Sequence, residues 1–489
     1  MHNRDNRVKS VVLEINFVTE IFIASYMAKV KKAYFCSNCG YESPKFLGKC
    51  PSCGEWNTFA EEIVSKQDSR TQSVTFSEKG AKPVKLSEVE SAGNEERIIL
   101  NSPIEEPNSI SELDRVLGGG IVKGSLVLIG GEPGIGKSTL SLQIPLHCSS
   151  LNTLYVSGEE SVKQIKLRAE RLGGNHSNCK ILAETNLENI LQHAQNEAPN
   201  LLIIDSIQTI FSQYVDSGAG SVSQVRECAT SLLRFAKESS TPVIIIGHIT
   251  KDGTIAGPKV LEHIVDVVLQ FEGEQRGAYR ILRSIKNRFG ASAELAVYEM
   301  TSSGLREILN PSEMFISMHQ ENLSGSAVGV MLDGTRPFLI EVQALVSTAA
   351  YGTPQRSATG YDVRRLNMLL AVLEKRVGFK LSQKDVFLNM AGGIKVSDSA
   401  CDLAVVMSIL SSNFDIPINQ KIAFASEIGL SGELRPVNQV ERRIAEGEKL
   451  GFEKIYISQY CSIEKKKRKI EVIRANTLPQ VVRDIFKEE

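Results

Sequence analysis

A glycine-rich loop holds the residues of this chain whose types and spacing are best suited to chemistry. The stretch GGEPGIGKST at 130–139 contains the pattern G-x-x-x-x-G-K-S/T, in which backbone N–H groups surround phosphates. Lys137 would reach the terminal phosphate oxygens, and the Ser138 hydroxyl would bind Mg²⁺. Because an apolar strand precedes the loop and a helix follows it, a phosphate site is favoured over a purely structural turn. The expected binding residues for ATP and Mg²⁺ are Gly131, Glu132, Pro133, Gly134, Ile135, Gly136, Lys137, Ser138, Thr139 and Asp205.

Hydrolysis of a bound nucleotide also needs carboxylates near the metal and near the attacking water. Asp205 ends the apolar run LLIID, the usual position for a carboxylate that acts on Mg²⁺. Glu159 ends LYVSGE at the same expected edge of the sheet and is our candidate general base. Glu160 is the neighbouring alternative, and an acidic residue that merely starts a helix is the structural alternative for either.

Two Cys-x-x-Cys pairs, each followed by glycine, form a second candidate site. Thiolates on two such turns are typical of a closed tetrahedral Zn²⁺ site, whereas a redox site would need only one pair. A ribbon this short cannot bury a core unaided, so we expect the metal to be structural. Lys45, Lys49 and Trp56 are candidates for contact with nucleic acid or a partner, although packing of Trp56 against the ribbon is favoured. The expected metal ligands are Cys36, Cys39, Cys50 and Cys53.

These sites need a sheet to position them, and apolar runs between residues 96 and 300 predict one. The runs lack polar alternation, which is typical of buried parallel strands, and helical patterns such as 224–238 separate them. We therefore expect an α/β fold with a doubly wound core. The expected strands are SLVLIGG (125–131), NTLYVSG (152–158), NLLIIDS (200–206), PVIIIGH (242–248), VDVVLQFEG (265–273) and YRILRSIKNR (279–288).

Composition limits the classes of protein that fit this chain. Basic and acidic residues nearly cancel, 56 against 57, so any nucleic-acid contact has to come from a local patch. The run KKKRK at 465–469 is more typical of a solvated surface than of such a patch. The remaining cysteines are scattered, which indicates a reducing cytoplasm. Polar residues interrupt the apolar run at 11–26, so we expect no membrane segment, and Met27 is a plausible natural start.

Several segments resemble one known family: SISELDRVLGGGIVKGSLVLIGGEPGIGKSTL at 109–140, YVSGEES, LLIIDSIQT and, most specific, IKNRFG at 285–290. They resemble the bacterial DNA-repair RadA (Sms) family, relatives of the RecA recombinases, over nearly everything after Met27. The resemblance implies a RecA-like P-loop core and a homo-oligomer that forms a hexameric ring. It further implies a DNA-dependent ATPase that moves on single-stranded DNA, acts on branched recombination intermediates and works beside the RecA recombinase.

The same resemblance implies roles for residues outside the loop. Lys286 and Arg288 would act as cations on the γ-phosphate held by a neighbouring subunit, and their spacing gives them one face of an extended segment. Ordinary salt bridges at a strand end are the alternative. His248 would sense the γ-phosphate, although a histidine at a strand end is commonly structural. The loop at 250–259, with Lys251 and Lys259, would line a channel and grip the DNA backbone.

The C-terminal region has its own resemblance. GGIKVSDSACDLAVVMSIL at 392–410 and ASEIGLSGELRPVNQVERRIAEGEKLGF at 425–452 resemble the proteolytic domain of Lon proteases, which are Ser-Lys enzymes. Ser399 falls at the position of the nucleophile, and Glu441 falls where those enzymes have their lysine. A carboxylate cannot replace the amine base, so we expect no peptidase activity and a role in oligomerisation.

The expected segments are an N-terminal extension at 1–33 that is disordered, a four-cysteine zinc ribbon at 34–60, a linker at 61–95, a RecA-like ATPase domain at 96–310 and an inactive Lon-protease-like α+β domain at 311–489. The favoured function is a DNA-dependent ATPase of the helicase or branch-migration type in homologous recombination and repair. An ATP-gated protease or unfoldase, and a zinc-scaffolded binding module that ATP only switches, remain alternatives. The response of the ATPase rate to single-stranded DNA separates these hypotheses.

Overall fold

The computed structural model divides the chain into two compact units, Met1–Ser292 with Ala296–Glu307, and Ala293–Leu295 with Ile308–Glu489. The structure describes residues 31–36, 41–64, 97–100, 111–148, 150–248, 259–272, 279–292, 294–316, 323–349 and 354–486. The expected extension up to residue 30, Cys39, the expected linker from residue 65 and the loop residues 250–258 with Lys251 lie outside the described residues. Over the ranges that are described, no helix has the length and apolar character to cross a membrane.

A small antiparallel sheet forms the N-terminal ribbon. Its strands are β1 (Lys31–Cys36), β2 (Glu42–Ser43) and β3 (Phe59–Val64), in the order β2-β1-β3. The register pairs Cys36 with Phe59, so the first predicted metal ligand ends β1 beside the start of β3. β1 begins inside the expected extension, and β3 continues into the expected linker.

A nine-stranded sheet forms the body of the first unit, in the order β14-β13-β12-β11-β6-β10-β9-β7-β8. Its strands are β6 (Leu126–Gly131), β7 (Thr153–Ser157), β8 (Cys179–Ala183), β9 (Leu201–Asp205), β10 (Val243–His248), β11 (Val267–Glu272), β12 (Tyr279–Asn287), β13 (Leu295–Thr301) and β14 (Gly304–Glu307). The helices of this unit are α1 (Ser111–Val116), α2 (Lys137–His147), α3 (Val162–Leu172), α4 (Leu187–Glu197), α5 (Val222–Ser239) and α6 (Lys259–Ile264). A two-stranded sheet joins β4 (Arg97–Ile98) to β5 (Ile121–Val122).

Two separate hydrophobic clusters cover the faces of this sheet. Successive residues of a strand point to opposite faces, and β6 shows this directly. Val127 and Ile129 belong to one cluster, whereas Leu126 and Leu128 belong to the other. The helical pattern predicted at 224–238 lies within α5, and its residues Val225, Cys228, Leu232 and Ala236 are buried in the second cluster. Since both faces need apolar side chains, the strands lack polar alternation, as the doubly wound prediction requires.

The direction of β12 differs from our expectation. The run at 279–288 lacks clear alternation and was expected to be a parallel strand, but β12 pairs with β11 in antiparallel register. The connection at 273–278 is too short for the crossover that a parallel pair requires. The parallel part of the sheet therefore ends at β11, and β12 carries its C-terminal residues back to the opposite edge.

The second unit contains a seven-stranded sheet in the order β17-β18-β16-β15-β19-β22-β23. Its strands are β15 (Ser326–Asp333), β16 (Arg336–Thr348), β17 (Arg356–Thr359), β18 (Lys384–Met390), β19 (Ile422–Ala425), β22 (Lys454–Ser458) and β23 (Glu471–Ala475), and β20 (Glu427–Ile428) pairs separately with β21 (Leu434–Arg435). The helices are α7 (Val363–Val372), α8 (Asp402–Phe414), α9 (Val440–Lys449) and α10 (Leu478–Ile485), with a π-helical turn at Leu373–Val377 and 3₁₀ turns at Pro311–Met314, Ala391–Gly393 and Ser399–Cys401.

Helices cover both faces of this second sheet. Val328 and Val330 of β15 pack into a cluster with Ile444 of α9. Between them, a Cβ at Gly329 would lie 3.1 Å from Ala404, so α8 approaches the opposite face closely. The strand pairs are both parallel and antiparallel, which makes this unit an α+β fold.

Candidate nucleotide site and zinc centre

The phosphate loop, residues 131–138, has the backbone geometry that its glycines allow. Gly134 and Gly136 have φ angles of 78° and 119°, in the left-handed region that favours glycine. A Cβ at Gly136 would lie 3.1 Å from Met300 Cε and 3.2 Å from Leu305 Cδ1, so this position is also restricted by space. Gly136 precedes α2 and supplies no side-chain cap. The first N–H groups of α2 are thus suited to bind phosphate oxygens.

Burial divides the predicted loop residues into an exposed tip and a buried base. The exposed residues are Glu132, Pro133 and Gly134, the buried ones are Gly131, Ile135, Gly136 and Lys137, and Ser138 and Thr139 are half-buried in the first turn of α2. A buried arginine of β12 supports the base, because Arg280 Nε donates to the Ile135 carbonyl at 3.2 Å. The tip is therefore accessible while its base is held in place.

The side chain of Lys137 folds back toward the start of the phosphate loop. Its Nζ donates to the carbonyl oxygens of Gly131 at 2.8 Å and Glu132 at 2.9 Å. Burial of the ammonium lowers the pKa of Lys137 to about 8, although the carboxylates of Asp205 and Glu159 favour its charged form. A cation that has lost solvation gains strongly from an anionic ligand. The residues of the loop therefore fit the phosphates of a nucleotide.

The register of the sheet brings residues from distant parts of the chain to one edge. Gly131 of β6 pairs with His248 of β10, and Asp205 of β9 pairs with Ser157 of β7. All four strands are parallel, so these residues lie at their carboxyl ends. That edge is where open α/β sheets bind ligands.

A buried tyrosine holds Asp205. Tyr155 OH donates to Asp205 Oδ2 at 2.6 Å, and both residues are buried. Burial, together with the nearby Asp205 charge, raises the pKa of Tyr155 well above its usual value, so the hydroxyl remains a donor. Carboxylate oxygens are the ligands that Mg²⁺ prefers, and Asp205 fits the cation that accompanies ATP.

Glu159 follows the end of β7 and accepts hydrogen bonds at Oε1. Ser206 Oγ donates to this oxygen at 2.6 Å, and His248 Nε2 lies 3.3 Å from it. Burial alone would raise the pKa of Glu159, but the bonds from Ser206 and His248 outweigh burial and hold the pKa below its usual value. Glu159 is therefore ionised at neutral pH, as a general base must be.

The neighbouring alternative, Glu160, has a different partner. Its carboxylate forms an ion pair with Arg168 of α3. Glu159 instead contacts Ser206, which directly follows β9, and His248, which ends β10. Both residues lie at the edge of the sheet that carries the phosphate loop. The geometry thus favours Glu159 over Glu160 as the base.

Arg288 lies at the opposite edge of the sheet from the phosphate loop. The Arg288 N–H donates to the carbonyl of Asp266, and the Asp266 N–H donates to that of Leu126 at the start of β6. Gly131 ends β6 roughly 17 Å farther along the strand, at about 3.4 Å per residue. Arg288 is therefore far from the phosphate loop of its own chain.

Lys286 and Arg288 both contact the segment between α6 and β11. Lys286 Nζ donates to the carbonyls of Glu262 at 2.5 Å and Val265 at 2.7 Å. Burial lowers the pKa of Lys286, and the Arg288 charge lowers it further. Arg288 Nη1 lies 3.1 Å from Asp266 Oδ1, with 51% of its side chain exposed. Lys286 therefore stabilises its own chain, whereas Arg288 is more accessible from outside.

Three predicted metal ligands converge in the ribbon. The sulfur atoms of Cys36, Cys50 and Cys53 all lie within 4.8 Å of one another. Cys36 Sγ is 3.7 Å from Cys53 Sγ. Tetrahedral Zn²⁺ with Zn–S bonds of about 2.3 Å requires sulfur atoms about 3.8 Å apart, so these thiols fit the metal. The fourth predicted ligand, Cys39, lies outside the described residues.

The position of Trp56 differs from the expected packing. Its side chain is 67% exposed, and Lys49 Nζ lies 5.6 Å from the centre of its ring. The interior of the ribbon is instead filled by Cys36, Cys50 and Phe59. These residues leave too little core to cover an indole ring.

The Lon-like residues of the second unit have separate partners. Ser399 Oγ donates to Glu427 Oε2 at 2.8 Å. Glu441 accepts bonds from Arg468 at 2.7 Å and from Lys466 at 3.2 Å, so it binds part of the basic run at 465–469. The absence of peptidase activity stays a prediction.

Sequence reasoning did not identify the residues that hold the carboxylates. Ser206 follows Asp205 directly, and the stretch IIDSIQT contains the only available signal for it, a hydroxyl residue at a strand end. Tyr155 sits inside an apolar run, where a tyrosine usually indicates packing. Their roles depend on which strands are neighbours, and the order of strands in the chain does not show this.

Family models match three parts of this chain. Residues 34–61 match the family model described as rubredoxin metal binding domain, residues 102–254 match an AAA domain, and residues 347–460 match subunit ChlI of Mg-chelatase. Together with the sheets described above, these matches confirm the predicted fold class: a RecA-like P-loop core, an N-terminal zinc ribbon and a C-terminal Lon-protease-like α+β region. The crystal structure of the RadB recombinase aligns with 40% of this chain and 96% of its own, with 22% identity and a TM-score of 0.33, a partial overlap.

Full-length relatives match almost the whole chain. DNA repair protein RadA of Bacillus subtilis (strain 168) is 48% identical over 439 residues, which is 88% of this chain and 93% of that protein. DNA repair protein RadA of Streptococcus pyogenes serotype M6 is 46% identical over 465 residues, 94% of this chain and 100% of that protein. The chain therefore belongs to the DNA repair protein RadA family.

Proposed function

We propose that this protein is a DNA-dependent ATPase that assembles as a hexameric ring, moves on single-stranded DNA and promotes branch migration in homologous recombination and DNA repair. One observation carries the proposal. The phosphate loop, the held carboxylate of Asp205 and the ionised Glu159 lie at one edge of the sheet, and His248 connects Glu159 to the strand that leads into residues 249–258. Strand β10 thereby connects the pocket for hydrolysis to a segment whose sequence suits DNA.

Each residue of the pocket has a separate role in ATP hydrolysis. Glu159 orients the attacking water and accepts its proton. Lys137 and the N–H groups of the phosphate loop stabilise charge on the transferred phosphoryl group. Ser138 and Asp205 would hold Mg²⁺, which supplies charge neutralisation at the β- and γ-phosphates. All of these groups act within one chain.

The remaining cation comes from a second copy of the chain. Arg288 is half exposed and lies at the far edge of the sheet from its own phosphate loop. An arginine supplied to a γ-phosphate in trans stabilises the charge of the transition state. Arg288, together with Lys286, would therefore complete the pocket of a neighbouring subunit in the ring.

The segment after His248 would couple this pocket to DNA. Lys251 and Lys259 give it positive charge without aromatic residues, which suits a phosphate backbone that is gripped and released. Branched recombination intermediates and the RecA recombinase are the expected partners, and the cytoplasm is the expected compartment. The Ser399–Glu427 bond and the bound Glu441 give no support to the protease alternative.

The test is an ATPase titration with oligothymidine, combined with mass photometry in the presence of nucleotide. We expect strong stimulation of the ATPase rate by single-stranded DNA and a ring-sized particle. Lys137→Ala is the control, since it should lose nucleotide affinity. An unstimulated ATPase that remains a monomer would rule out the ring motor and favour a binding module that ATP only switches.

A further inference from the structure

Ser206 is buried between the strands that carry the two catalytic carboxylates. It has 0% of its surface exposed and directly follows Asp205 at the end of β9. The adjacent strand β7 ends at Ser157, which pairs with Asp205, and Glu159 follows shortly after. The chain leaves β7 and β9 at neighbouring positions, so the Ser206 hydroxyl lies within hydrogen-bond distance of the Glu159 carboxylate.

The backbone fixes the position of this hydroxyl. The Ser206 carbonyl accepts bonds from the Thr209 hydroxyl at 2.8 Å and the Thr209 N–H at 3.2 Å. The next residue, Ile207, donates its N–H to Ile246 of β10 at 3.0 Å. The donor is therefore held by the sheet itself before any ligand binds.

Glu159 needs such a donor because it is otherwise loosely held. Its side chain is 43% exposed, and a glutamate loses substantial rotamer freedom when it is fixed. Its Oε1 also lies 3.3 Å from His248 Nε2, which is longer than the 2.6 Å bond from Ser206. Lys137 also acts on Glu159 through its charge. Ser206 makes the shorter of the two contacts and comes from a fully buried position.

We propose that Ser206 is a positioning residue for hydrolysis: its hydroxyl holds the Glu159 carboxylate toward the attacking water. The proposal rests on ATP hydrolysis as the activity of this site. Ser206 acts through Glu159 and has no separate role in binding the nucleotide. A misplacement of about 1 Å in a catalytic group costs on the order of 100-fold in rate.

The test is a double-mutant cycle on the full-length ring, measured as single-turnover ATP hydrolysis. Ser206→Ala should lower the rate about 10- to 100-fold with less than about a 2-fold change in ATP affinity. In a Glu159→Gln background the same substitution should have almost no further effect, because the group that Ser206 positions is already gone. Ser206→Thr keeps the hydroxyl and should recover most of the rate.

The pH profile gives an independent readout. The bond from Ser206 lowers the pKa of Glu159, so Ser206→Ala should move the acid limb of the rate profile to higher pH. Ser141→Ala is the matched control, since Ser141 is equally buried and its hydroxyl has no hydrogen-bond partner among the described residues. That control should leave the rate and the pH profile unchanged.

Two results would overturn the proposal. One is an equal loss of rate from Ser206→Ala in the wild-type and Glu159→Gln backgrounds, and the other is a Ser206→Thr variant as slow as Ser206→Ala. Failure of the proposed function would look different. If the wild-type ring hydrolyses ATP at a rate that does not respond to single-stranded DNA, the proposed motor function is wrong. The double-mutant cycle would still measure the effect of Ser206 on hydrolysis.

Discussion

Tyr155 donates its hydroxyl hydrogen to Asp205 Oδ2 across 2.6 Å, from one strand to its neighbour in the sheet. Tyr155→Phe should cost about 2 kcal/mol of unfolding free energy, because a buried carboxylate loses a donor. It should also raise the Mg²⁺ concentration needed for half-maximal ATPase, because Asp205 is no longer held. Urea denaturation and a Mg²⁺ titration measure the two effects.

Tyr298→Phe is the control for that experiment. Tyr298 is buried in the same sheet, but its hydroxyl has no hydrogen-bond partner among the residues described. Removal of the Tyr298 hydroxyl should leave the free energy of unfolding unchanged or raise it slightly. Equal effects of the two substitutions would show that the Tyr155 bond has no special importance.

The pKa of Lys137 predicts proton uptake on nucleotide binding. Burial lowers this pKa to about 8, so most of the population is neutral above that pH. Phosphates favour the charged form and raise the pKa, so binding near pH 8.5 should take up protons and ATP affinity should fall as pH rises further. Calorimetry in two buffers with different ionisation enthalpies measures the uptake. Lys137→Arg, which stays charged, should abolish it, and identical heats in both buffers would contradict the prediction.

Mixing two variants tests whether, in the proposed ring, Arg288 acts across a subunit boundary. Arg288→Ala and Glu159→Gln rings should each bind ATP but lose turnover, on the order of 1,000-fold for the arginine. When the two variants are mixed, some pockets combine an intact Glu159 with an intact Arg288 from the neighbour, so activity should return. If mixing restores nothing although mixed rings form, Arg288 does not act in trans.

Lys286 and Arg288 should both contribute to the stability of their own chain as well as to turnover. The Lys286 ammonium donates to the carbonyls of Glu262 and Val265, at the end of α6. Lys286→Ala leaves those carbonyls without this donor, so the melting temperature should fall as well as the turnover. Arg288→Ala removes an ion-pair partner of the Asp266 carboxylate, whose side chain is only 5% exposed, so this variant should also lower the melting temperature. Thermal unfolding followed by circular dichroism compares the two variants.

The zinc ribbon should bind one metal ion per chain, and Trp56 should report on it. It is the only tryptophan of the chain and lies in the ribbon. Chelation should change the Trp56 fluorescence, because a ribbon of this size depends on metal for its fold. Cys50→Ser should abolish zinc in elemental analysis, whereas Cys461→Ser, a buried cysteine elsewhere, should not. Zinc retained by the Cys50 variant would contradict this assignment.

Local spacing made much of this protein predictable. The phosphate loop and the paired cysteines are formed by residues a few positions apart. Their chemistry can therefore be recognised in the sequence. The parallel strands β6, β7, β9, β10 and β11 were predictable because their apolar runs are almost entirely buried, whereas β8, β13 and β14 were not predicted. The direction of β12 was not predictable, since strand propensity is the same in either direction and only the length of the connection decides it.

The choice between Glu159 and Glu160 shows where sequence reasoning ended. Both follow the same strand, and only the structure pairs Glu160 with Arg168 and Glu159 with Ser206. The sequence by itself determined the phosphate loop and the cysteine pairs through short-range spacing, and the fold class through its apolar runs and its family resemblance. The tertiary structure alone decided which residues hold the carboxylates and which edge Arg288 occupies, because neighbours in this sheet are not neighbours in the chain.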